Sequence, residues 1–404
     1  MRRFTRNRRH FENNENNTSA LWYDNRGFTK PEQWLSLMVN RHSSQPQIKK
    51  TSERDKYTKK TSQQEDKQPI NYNISKPQIK KTSERDKYTK KTLQQEDKQP
   101  INYNISKVGV PCQTPPFMVN LRVPYPPAFS YANSTHLSSN LTMVTGYVNL
   151  GKFKKGEIDL YYTNDMYKGW MKRLSKIRNF MVIFVEDNIT DSIFREARSY
   201  LPSSFTKIIH FKRYDLWGFK LENSIKNIYD APCYPKFNPN TVKASYSSMT
   251  QSKYDLMGMA LQKNYFQTKY FGWIDIGYFR DEPENGPPFS LVLPNDFNEE
   301  RIAYLEVYAR QTNVNCQDIV FNNLVWVGGG YFVGRGDVML AWVTQYQSYV
   351  YKMLHSGLMS TAQQGIYCMF NDRQQPPGVK LHLYKAQKEQ HHWFTLGYLS
   401  KRNR

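Results

Sequence analysis

The feature that most constrains the fold is the run FMVIFV at residues 180–185, which is apolar at every position. A strand that packs on one face alternates apolar and polar residues, whereas a strand covered on both faces is apolar throughout. Strands of the second kind belong to parallel sheets that lie between two layers of helices. The run therefore predicts an α/β domain, and Asp187 follows where the strand is expected to end.

Helical and extended patterns alternate on both sides of this run. We predict further strands at 141–147, 207–211, 270–274, 301–307 and 325–334, and helices at 165–177, 192–201, 246–265, 337–354 and 361–370. In helix 246–265, Met249, Leu256 and Met257 recur at helical spacing on one face. The alternation predicts a mixed, mostly parallel sheet flanked by helices across residues 141–404, a normal size for one domain.

The segment that precedes this domain has a different character. Residues 46–107 are a tandem duplication with a period of 31 residues, in which the only change is Ser62 to Leu93. Each copy contains too few sizeable apolar side chains to bury against a neighbour, so we interpret 46–107 as a disordered, charged linker, with a coiled helix as the alternative. Residues 1–45 are basic and polar, and residues 108–140 are a Pro- and Ser-rich lead-in.

Positive charge is concentrated in the same segment. Residues 1–107 contain 24 Lys and Arg and 12 Asp and Glu, so they carry more than half of the net charge of +22. Such an excess favours polyanions, which makes nucleic acid a candidate partner of the N-terminal region alone. A soluble tail is the simpler interpretation, because acidic residues are interspersed with the lysines.

The compartment is left unassigned by the sequence. No stretch approaches the roughly 20 apolar residues of a transmembrane segment, and no apolar stretch of a signal peptide follows the basic start. N-x-S/T sequons, such as the one at Asn188, would fit a secretory route. Cys112, Cys233, Cys316 and Cys368 lack zinc-ligand spacing, so buried thiols and two disulfides both stay open.

The strand predicted at 270–274 runs into Asp275, within the sequence YFGWIDIGY. Ligands of open α/β sheets bind outside the carboxyl ends of the strands, so Asp275 is a candidate site residue, as is Thr145 near the end of the first strand. A carboxylate there suits a hard divalent cation that bridges diphosphate oxygens, and Gly277 lets a ligand approach the backbone. The alternative is an aspartate that caps the following turn.

Four motifs in order resemble the HtrL/YibB family. They are Asn238-Pro239, Ser252-Lys253, WIDIG at 273–277 and GGGYFVG at 328–334. The resemblance covers about residues 141–398 and leaves residues 1–140 outside. That family is associated with bacterial lipopolysaccharide biosynthesis and is similar to glycosyltransferases of the GT-A fold, so the resemblance implies a nucleotide-sugar site.

The resemblance assigns the central role to Asp275. This residue corresponds to the metal-facing carboxylate of the GT-A DxD motif, which makes it the expected catalytic residue and implies Mg²⁺ or Mn²⁺ as cofactor. Gly277 stands where a usual DxD motif has its second aspartate, so a further ligand has to complete the shell. His392 is the candidate, together with His382 and His391, although a surface cluster is the simpler interpretation of these histidines.

The resemblance also implies a set of residues around the nucleotide sugar, in which the strand and turn of Gly329 and Gly330 shape the acceptor side. They are Thr145, Ser252, Lys253, Gly277, Gly329 and Gly330. In this set the strand of Thr145 ends near the nucleotide base, and Lys253 pairs with a phosphate, unless Lys253 is a solvated residue of its helix. Ala362-Gln363-Gln364 stands where relatives carry an acidic-Glu-Gln motif, so the acids are absent here.

These residues together predict a glycosyltransferase. It would move a sugar from a nucleoside-diphosphate donor to a glycan or lipid-linked acceptor, with a divalent ion at Asp275. One alternative is a non-catalytic binding protein on the same fold, because the acids near Gln363 are missing. The other is a polyanion-binding protein that works through residues 1–107. The donor sugar, the acceptor and the oligomeric state are not defined by the sequence.

Overall fold

The computed structural model describes residues 123–132, 136–157, 159–387 and 392–403. The interpretations of 1–45 and of the tandem repeat at 46–107 therefore lie outside the described residues, as does most of the lead-in. The strands are β1 (Ser138–Tyr147), β2 (Phe153–Lys154), β3 (Tyr161–Tyr162), β4 (Met181–Val185), β5 (Thr206–His210), β6 (Thr268–Ile274), β7 (Ser290–Leu291), β8 (Arg301–Glu306), β9 (Val327–Arg335), β10 (Lys380–Lys385) and β11 (Lys401–Arg402).

The helices lie between these strands along the chain. They are α1 (Asn164–Leu174), α2 (Asn188–Ala197), α3 (Trp217–Lys220), α4 (Glu222–Asp230), α5 (Ala244–Lys263), α6 (Cys316–Phe321), α7 (Gly336–His355), α8 (Ala362–Asn371) and α9 (Thr395–Ser400), with short 3-10 turns at Ser203–Phe205 and Arg213–Asp215. Each strand and helix predicted from the sequence has a counterpart here, with ends that differ by a few residues.

Seven of the described strands form one sheet in the order β10-β8-β9-β6-β1-β4-β5. Parallel pairing joins β1 to both β4 and β6, β4 to β5, and β8 to β10. Within this sheet only β9 runs antiparallel to its neighbours, β6 and β8. The prediction of a mixed, mostly parallel sheet flanked by helices is confirmed.

The order of the strands places a switch point at β1. From β1 the chain goes to β4 and β5 on one side, and then returns to β6 on the other side of β1. Crevices in open α/β sheets form outside the carboxyl ends of strands where the connections diverge in this way. The carboxyl ends of β1 and β6 are therefore the place where the fold is expected to bind a ligand.

Both faces of the sheet are buried, as the apolar run at 180–185 predicts. On one face Val144 and Trp273 pack in a core with Leu256 and Trp342 from α5 and α7. On the other face Met143 packs in a second core, which includes residues of α1 such as Met171 and Leu174. Burial of one such side chain stabilises the fold by about 1.5–3 kcal/mol. The two cores therefore hold the carboxyl ends of the strands in place.

Several elements differ from the sequence prediction. Helix α2 begins at Asn188 rather than near residue 192, because Asp187 caps it by accepting a bond from the Thr190 N–H at 2.7 Å. Strand β10 and the short helices α3, α4, α6 and α9 were not predicted. Strand β10 lies at the edge of the sheet, and its sequence KLHLYK contains no run of apolar residues. Short helices with few apolar residues give weak periodic signals.

The described cysteines form disulfides rather than free thiols. Cys316 in α6 and Cys368 in α8 are bonded, with their Cα atoms 4.7 Å apart, and Cys233 is also disulfide-bonded. Of the helices in the described part of the chain, none has both the length and the apolar character needed to cross a membrane.

Candidate functional site

A cleft of about 180 Å³ opens at the carboxyl ends of β1 and β6. Its walls come from the ends of these strands, from α1 and α5, from the turn after β6, and from Phe394 near the end of the described chain. The cleft therefore coincides with the switch point of the sheet, where a ligand is expected.

Asp275 is delivered to this cleft by β6. Its backbone N–H donates to the Gly330 carbonyl at 2.8 Å, and its carbonyl accepts from the Tyr278 N–H at 3.0 Å. These two bonds fix the turn, and the side chain stays 45% exposed while its strand neighbours Trp273 and Ile274 are buried. The carboxylate thus faces the cleft from a rigid backbone, as the sequence predicts.

Lys253 of α5 reaches the same carboxylate. Its Nζ donates to Asp275 Oδ1 at 3.0 Å, with Oδ2 at 3.4 Å, and to the Gly329 carbonyl at 2.9 Å. The Lys253 side chain is only 7% exposed, so the solvated-helix alternative is wrong. The indole N–H of Trp273 donates to Asp275 Oδ1 at 2.6 Å. Asp275, Lys253 and Trp273 form one hydrogen-bonded unit.

Two further cations line the cleft. Lys155 donates to the Tyr246 hydroxyl at 3.1 Å. The guanidinium of Arg280 lies 4.7 Å from the Phe394 ring centroid and 5.9 Å from that of Trp170. Among the described residues that line the cleft, three side chains are cationic and Asp275 is the only carboxylate. The lining therefore has an excess of two positive charges, which favours an anionic ligand.

Eight of the other residues that line the cleft are aromatic. They are Tyr147, Phe153, Tyr162, Tyr167, Trp170, Tyr246, Tyr278 and Phe394. Burial, with the carboxylates of Asp187 and Glu186 nearby, raises the pKa of Tyr147 to about 12. Burial also raises the pKa values of Tyr167 and Tyr278 well above the ordinary value. These phenols stay neutral near pH 7, so they serve as walls and hydrogen-bonding groups rather than as bases.

Two of the predicted glycines are needed for close packing at the cleft. A Cβ on Gly330 would lie 3.1 Å from the ring of Tyr278 and 3.5 Å from Asp275 Oδ2. A Cβ on Gly277 would lie 3.0 Å from the ring of Trp170. Both glycines line the cleft, and a larger residue at either position would push the aromatic wall or the carboxylate out of place.

Gly329 and Gln363 lie just behind the unit. The Gly329 carbonyl binds Lys253, and a Cβ on Gly329 would lie 3.1 Å from Cγ of Gln363. The Gln363 side-chain amide donates to the Val327 carbonyl at 3.1 Å. Gln363 is thus a packing residue beside β9, and the position where the resemblance implies an acid lies close to Lys253.

Thr145 and Ser252 lie in the core rather than at the cleft. The Thr145 hydroxyl donates to the Ile274 carbonyl at 2.7 Å and ties β1 to β6. The Ser252 hydroxyl donates to the Ser248 carbonyl at 2.9 Å, and Ser252 packs against Gly218. Both side chains are fully buried, so they support the elements that carry the site and do not contact a ligand.

The histidines predicted as metal ligands lie elsewhere. The His392 ring packs on Tyr308, with ring centroids 5.7 Å apart, and His392 is not part of the cleft lining. His382 on β10 accepts from the Asn298 N–H at 3.2 Å, and His391 falls outside the described residues. Neither described histidine joins Asp275 in the structure.

The residues around Asp275 do not fit a resident divalent ion. In the described part of the chain, no three His, Cys, Asp or Glu side chains cluster as a ligand set. Both oxygens of Asp275 lie within 3.4 Å of the Lys253 ammonium, and a second cation at the same carboxylate would be repelled by it. The expectation of Mg²⁺ or Mn²⁺ stays a prediction without support from this geometry.

The acidic loop after the turn is occupied by ion pairs. Glu282 accepts from Lys401 at 2.6 Å, and Glu284 lies 3.6 Å from Arg173. These ion pairs join the loop to α1 and β11. The cleft residues that sequence reasoning missed include Lys155, Tyr246 and Arg280. Single residues in polar stretches carry no pattern that could identify them.

Comparison with known proteins identifies one family. The family model described as "Bacterial protein of unknown function (HtrL_YibB)" matches residues 139–369. This span is more than half of the 404 residues, and it contains Lys253, Asp275 and Gly330. No curated protein matches the chain.

Proposed function

We propose, from the premise that the chain belongs to the HtrL_YibB family, that it is a glycosyltransferase of the GT-A type. In this proposal the cleft binds a nucleoside-diphosphate sugar, and the sugar passes to a glycan or lipid-linked acceptor. The observation that carries the proposal is the unit of Asp275 and Lys253 at the switch point of the sheet, facing a cleft with excess positive charge.

The charge of the cleft supports a diphosphate ligand. When the bond between the sugar carbon and the diphosphate oxygen breaks, its electron pair stays on the diphosphate. The acceptor oxygen forms the new bond to the sugar and releases its proton to solvent. Stabilising the growing negative charge on the leaving group is the largest task, and the Lys253 ammonium is held at a fixed position where it can do so.

The aromatic rings of the cleft are consistent with a ligand that has a base on one side of the diphosphate and a sugar on the other. Rings such as Tyr147 and Trp170 can stack on a base or on the apolar face of a sugar, and stacking on one base contributes about 1–3 kcal/mol. The cleft is smaller than the roughly 300–1,000 Å³ of most ligand pockets. A sugar nucleotide would therefore fill it in part and extend through its mouth.

The proposal is tested by isothermal titration with UDP- and GDP-sugars and with CMP-sialic acid, followed by donor hydrolysis assays. We expect one donor to bind and to be hydrolysed slowly, and we expect Asp275→Ala to abolish both effects. Asp159→Ala is the matched control, because the Asp159 side chain is 88% exposed and pairs with Lys154. No binding by any donor contradicts the proposal.

A non-catalytic binding protein on the same fold is the second candidate. It is favoured by the single carboxylate in the described lining of the cleft and by Gln363 where the resemblance implies an acid. Donor binding with equal, negligible hydrolysis by the wild type and by Asp275→Ala would select this candidate. The polyanion-binding hypothesis rests on residues 1–107, outside the described residues. It is tested by filter binding of nucleic acid to residues 108–404 alone.

A further inference from the structure

We infer that the cleft binds the diphosphate through side-chain cations and that donor binding needs no divalent metal ion. The inference rests on the proposed function and deepens it, since it concerns how the same cleft recognises its donor. It departs from the sequence expectation of Mg²⁺ or Mn²⁺ at Asp275.

The first step is the state of the Asp275 carboxylate. Oδ1 accepts two hydrogen bonds, from the Trp273 indole at 2.6 Å and from Lys253 at 3.0 Å, and Oδ2 lies 3.4 Å from the same ammonium. A carboxylate that holds a cation through both oxygens has little attraction left for a second one. Asp275 therefore acts as a holder of Lys253.

The second step is the geometry of Lys253. The Lys253 ammonium has three N–H donors, and it has three acceptors, the two Asp275 oxygens and the Gly329 carbonyl. The side chain is 7% exposed, yet Lys253 lines the cleft. A phosphate oxygen can replace the long contact to Oδ2 at 3.4 Å as a partner of the ammonium, and the fixed position removes the entropic cost of ordering a long side chain.

The third step is the balance of charge. Lys155, Lys253 and Arg280 give the described lining an excess of two positive charges over Asp275. A diphosphate joined at both ends carries roughly one negative charge per phosphate. The cations of the described lining can therefore offset the charge of the diphosphate.

Arg280 and Lys155 are held in ways that suit this task. The guanidinium of Arg280 lies against the Phe394 and Trp170 rings, which fixes its plane, and a planar guanidinium binds phosphate through two parallel hydrogen bonds. Lys155 is oriented by its bond to the Tyr246 hydroxyl. Together with Lys253 they approach the cleft from three separate parts of the chain.

The test is isothermal titration of the full chain with UDP-glucose and with GDP-mannose, in which the diphosphate is joined at both ends, in excess EDTA and then in excess MgCl2 or MnCl2. We expect the dissociation constant of the tighter nucleotide to differ by less than about three-fold between these buffers. A larger weakening in EDTA would overturn the inference and leave the proposed function standing. Absence of binding in every buffer would instead overturn the proposed function, and the inference with it.

Substitution of the cleft cations provides a second, independent test of the inference. In EDTA, Lys155→Met and Arg280→Met are each expected to weaken nucleotide binding by about ten-fold or more. Lys152→Met is the matched control, since Lys152 is exposed, lies over the Tyr161 ring and is not part of the cleft lining. Equal binding by all three variants would contradict the inference. Thermal unfolding of each variant shows whether a lost affinity reflects a lost fold.

Discussion

Lys253 and Asp255 of helix α5 serve two different regions of the molecule. Residues two apart on a helix point roughly 200° apart around its axis. Lys253 faces the cleft and meets Asp275, whereas Asp255 faces a buried layer of helices. We call this second region the helix layer, formed by Asp255 with Gly218 of α3 and Gln347 of α7.

The two carboxylates of this comparison have opposite environments. Asp275 is 45% exposed and is paired with an ammonium. Asp255 is 2% exposed and accepts from the Gly218 N–H at 2.9 Å and from the Gln347 amide at 2.6 Å. Burial is the largest cause that raises the pKa of Asp255, to about 7. The carboxyl group with the raised pKa, Asp255, thus lies in the helix layer. The carboxylate of the cleft, Asp275, is instead half-exposed and paired with a cation.

The difference shows why a shifted pKa alone is a weak guide to a site. Perturbed groups are often functional, but Asp255 is not part of the lining of the described cleft and instead caps the start of α3. Asp275 is a better candidate because a ligand can reach it. The following predictions test this division, in order of decreasing effect on the free energy of unfolding.

The largest expected effect is a dependence of stability on pH that comes from Asp255. Its folded pKa of about 7 lies above the ordinary value of 3.8, so the folded state holds a proton more tightly than the unfolded chain. This contribution is fully present below about pH 4 and is lost as the pH rises through about 7, and it is on the order of 4 kcal/mol. Urea unfolding between these pH values measures it.

Asp255→Asn provides the control for this pH dependence. The amide keeps the shape of the side chain and does not titrate, so the Asp255 contribution to the slope of stability against pH should disappear. A variant whose slope equals that of the wild type would show that another group is responsible.

Asp255→Ala should lower the free energy of unfolding by about 3 kcal/mol, because it leaves the Gly218 N–H and the Gln347 amide without their acceptor in the interior. Nucleotide binding by the folded fraction should be unchanged, since Asp255 faces away from the cleft. Urea unfolding and UDP titration of the same sample measure both quantities. Weaker UDP binding without a loss of folded protein would show that Asp255 affects the cleft, which would contradict the separation of the two regions.

Lys253→Met should lower the free energy of unfolding by about 1–2 kcal/mol, since the Gly329 carbonyl loses a buried donor while Asp275 can turn to water. Nucleotide binding should fall by about ten-fold or more. This pattern is the reverse of that expected for Asp255→Ala. A variant that unfolds like the wild type and binds UDP equally well would show that Lys253 contributes neither to stability nor to nucleotide binding.

Asp275→Asn should lower the free energy of unfolding by about 1 kcal/mol, because the half-exposed amide oxygen can still accept a hydrogen bond from the buried Lys253 ammonium. Its effect should appear in donor hydrolysis, since the amide no longer holds the ammonium with a negative charge. Chemical unfolding and hydrolysis assays separate the two effects. A large loss of stability would show that Asp275 is a structural residue.

The sequence predicts the fold better than the site, for physical reasons. The buried strands of the sheet are apolar at nearly every position, and burial on both faces leaves no other interpretation for a run such as 180–185. Strand β10 lies at an edge, where polar residues are tolerated, so its sequence carries no comparable signal.

Within the site, Asp275 was predicted best. Asp275 follows β6, and its position at the cleft is a consequence of topology. Its bond to Lys253 depends on the packing of α5 against the sheet, which no local pattern describes. Thr145 and Ser252 were expected to contact the donor, whereas both hydroxyls are bonded to carbonyls inside the core, which a sequence does not show.

The central claim is that Lys253, held by Asp275, meets a diphosphate in the cleft. The most direct measurement is a crystal structure of the protein soaked with UDP, once with EDTA and once with MnCl2. The account predicts the diphosphate in both crystals, with a phosphate oxygen within hydrogen-bond distance of the Lys253 ammonium. UDP bound away from the cleft, or in it only when manganese joins Asp275, would contradict the account.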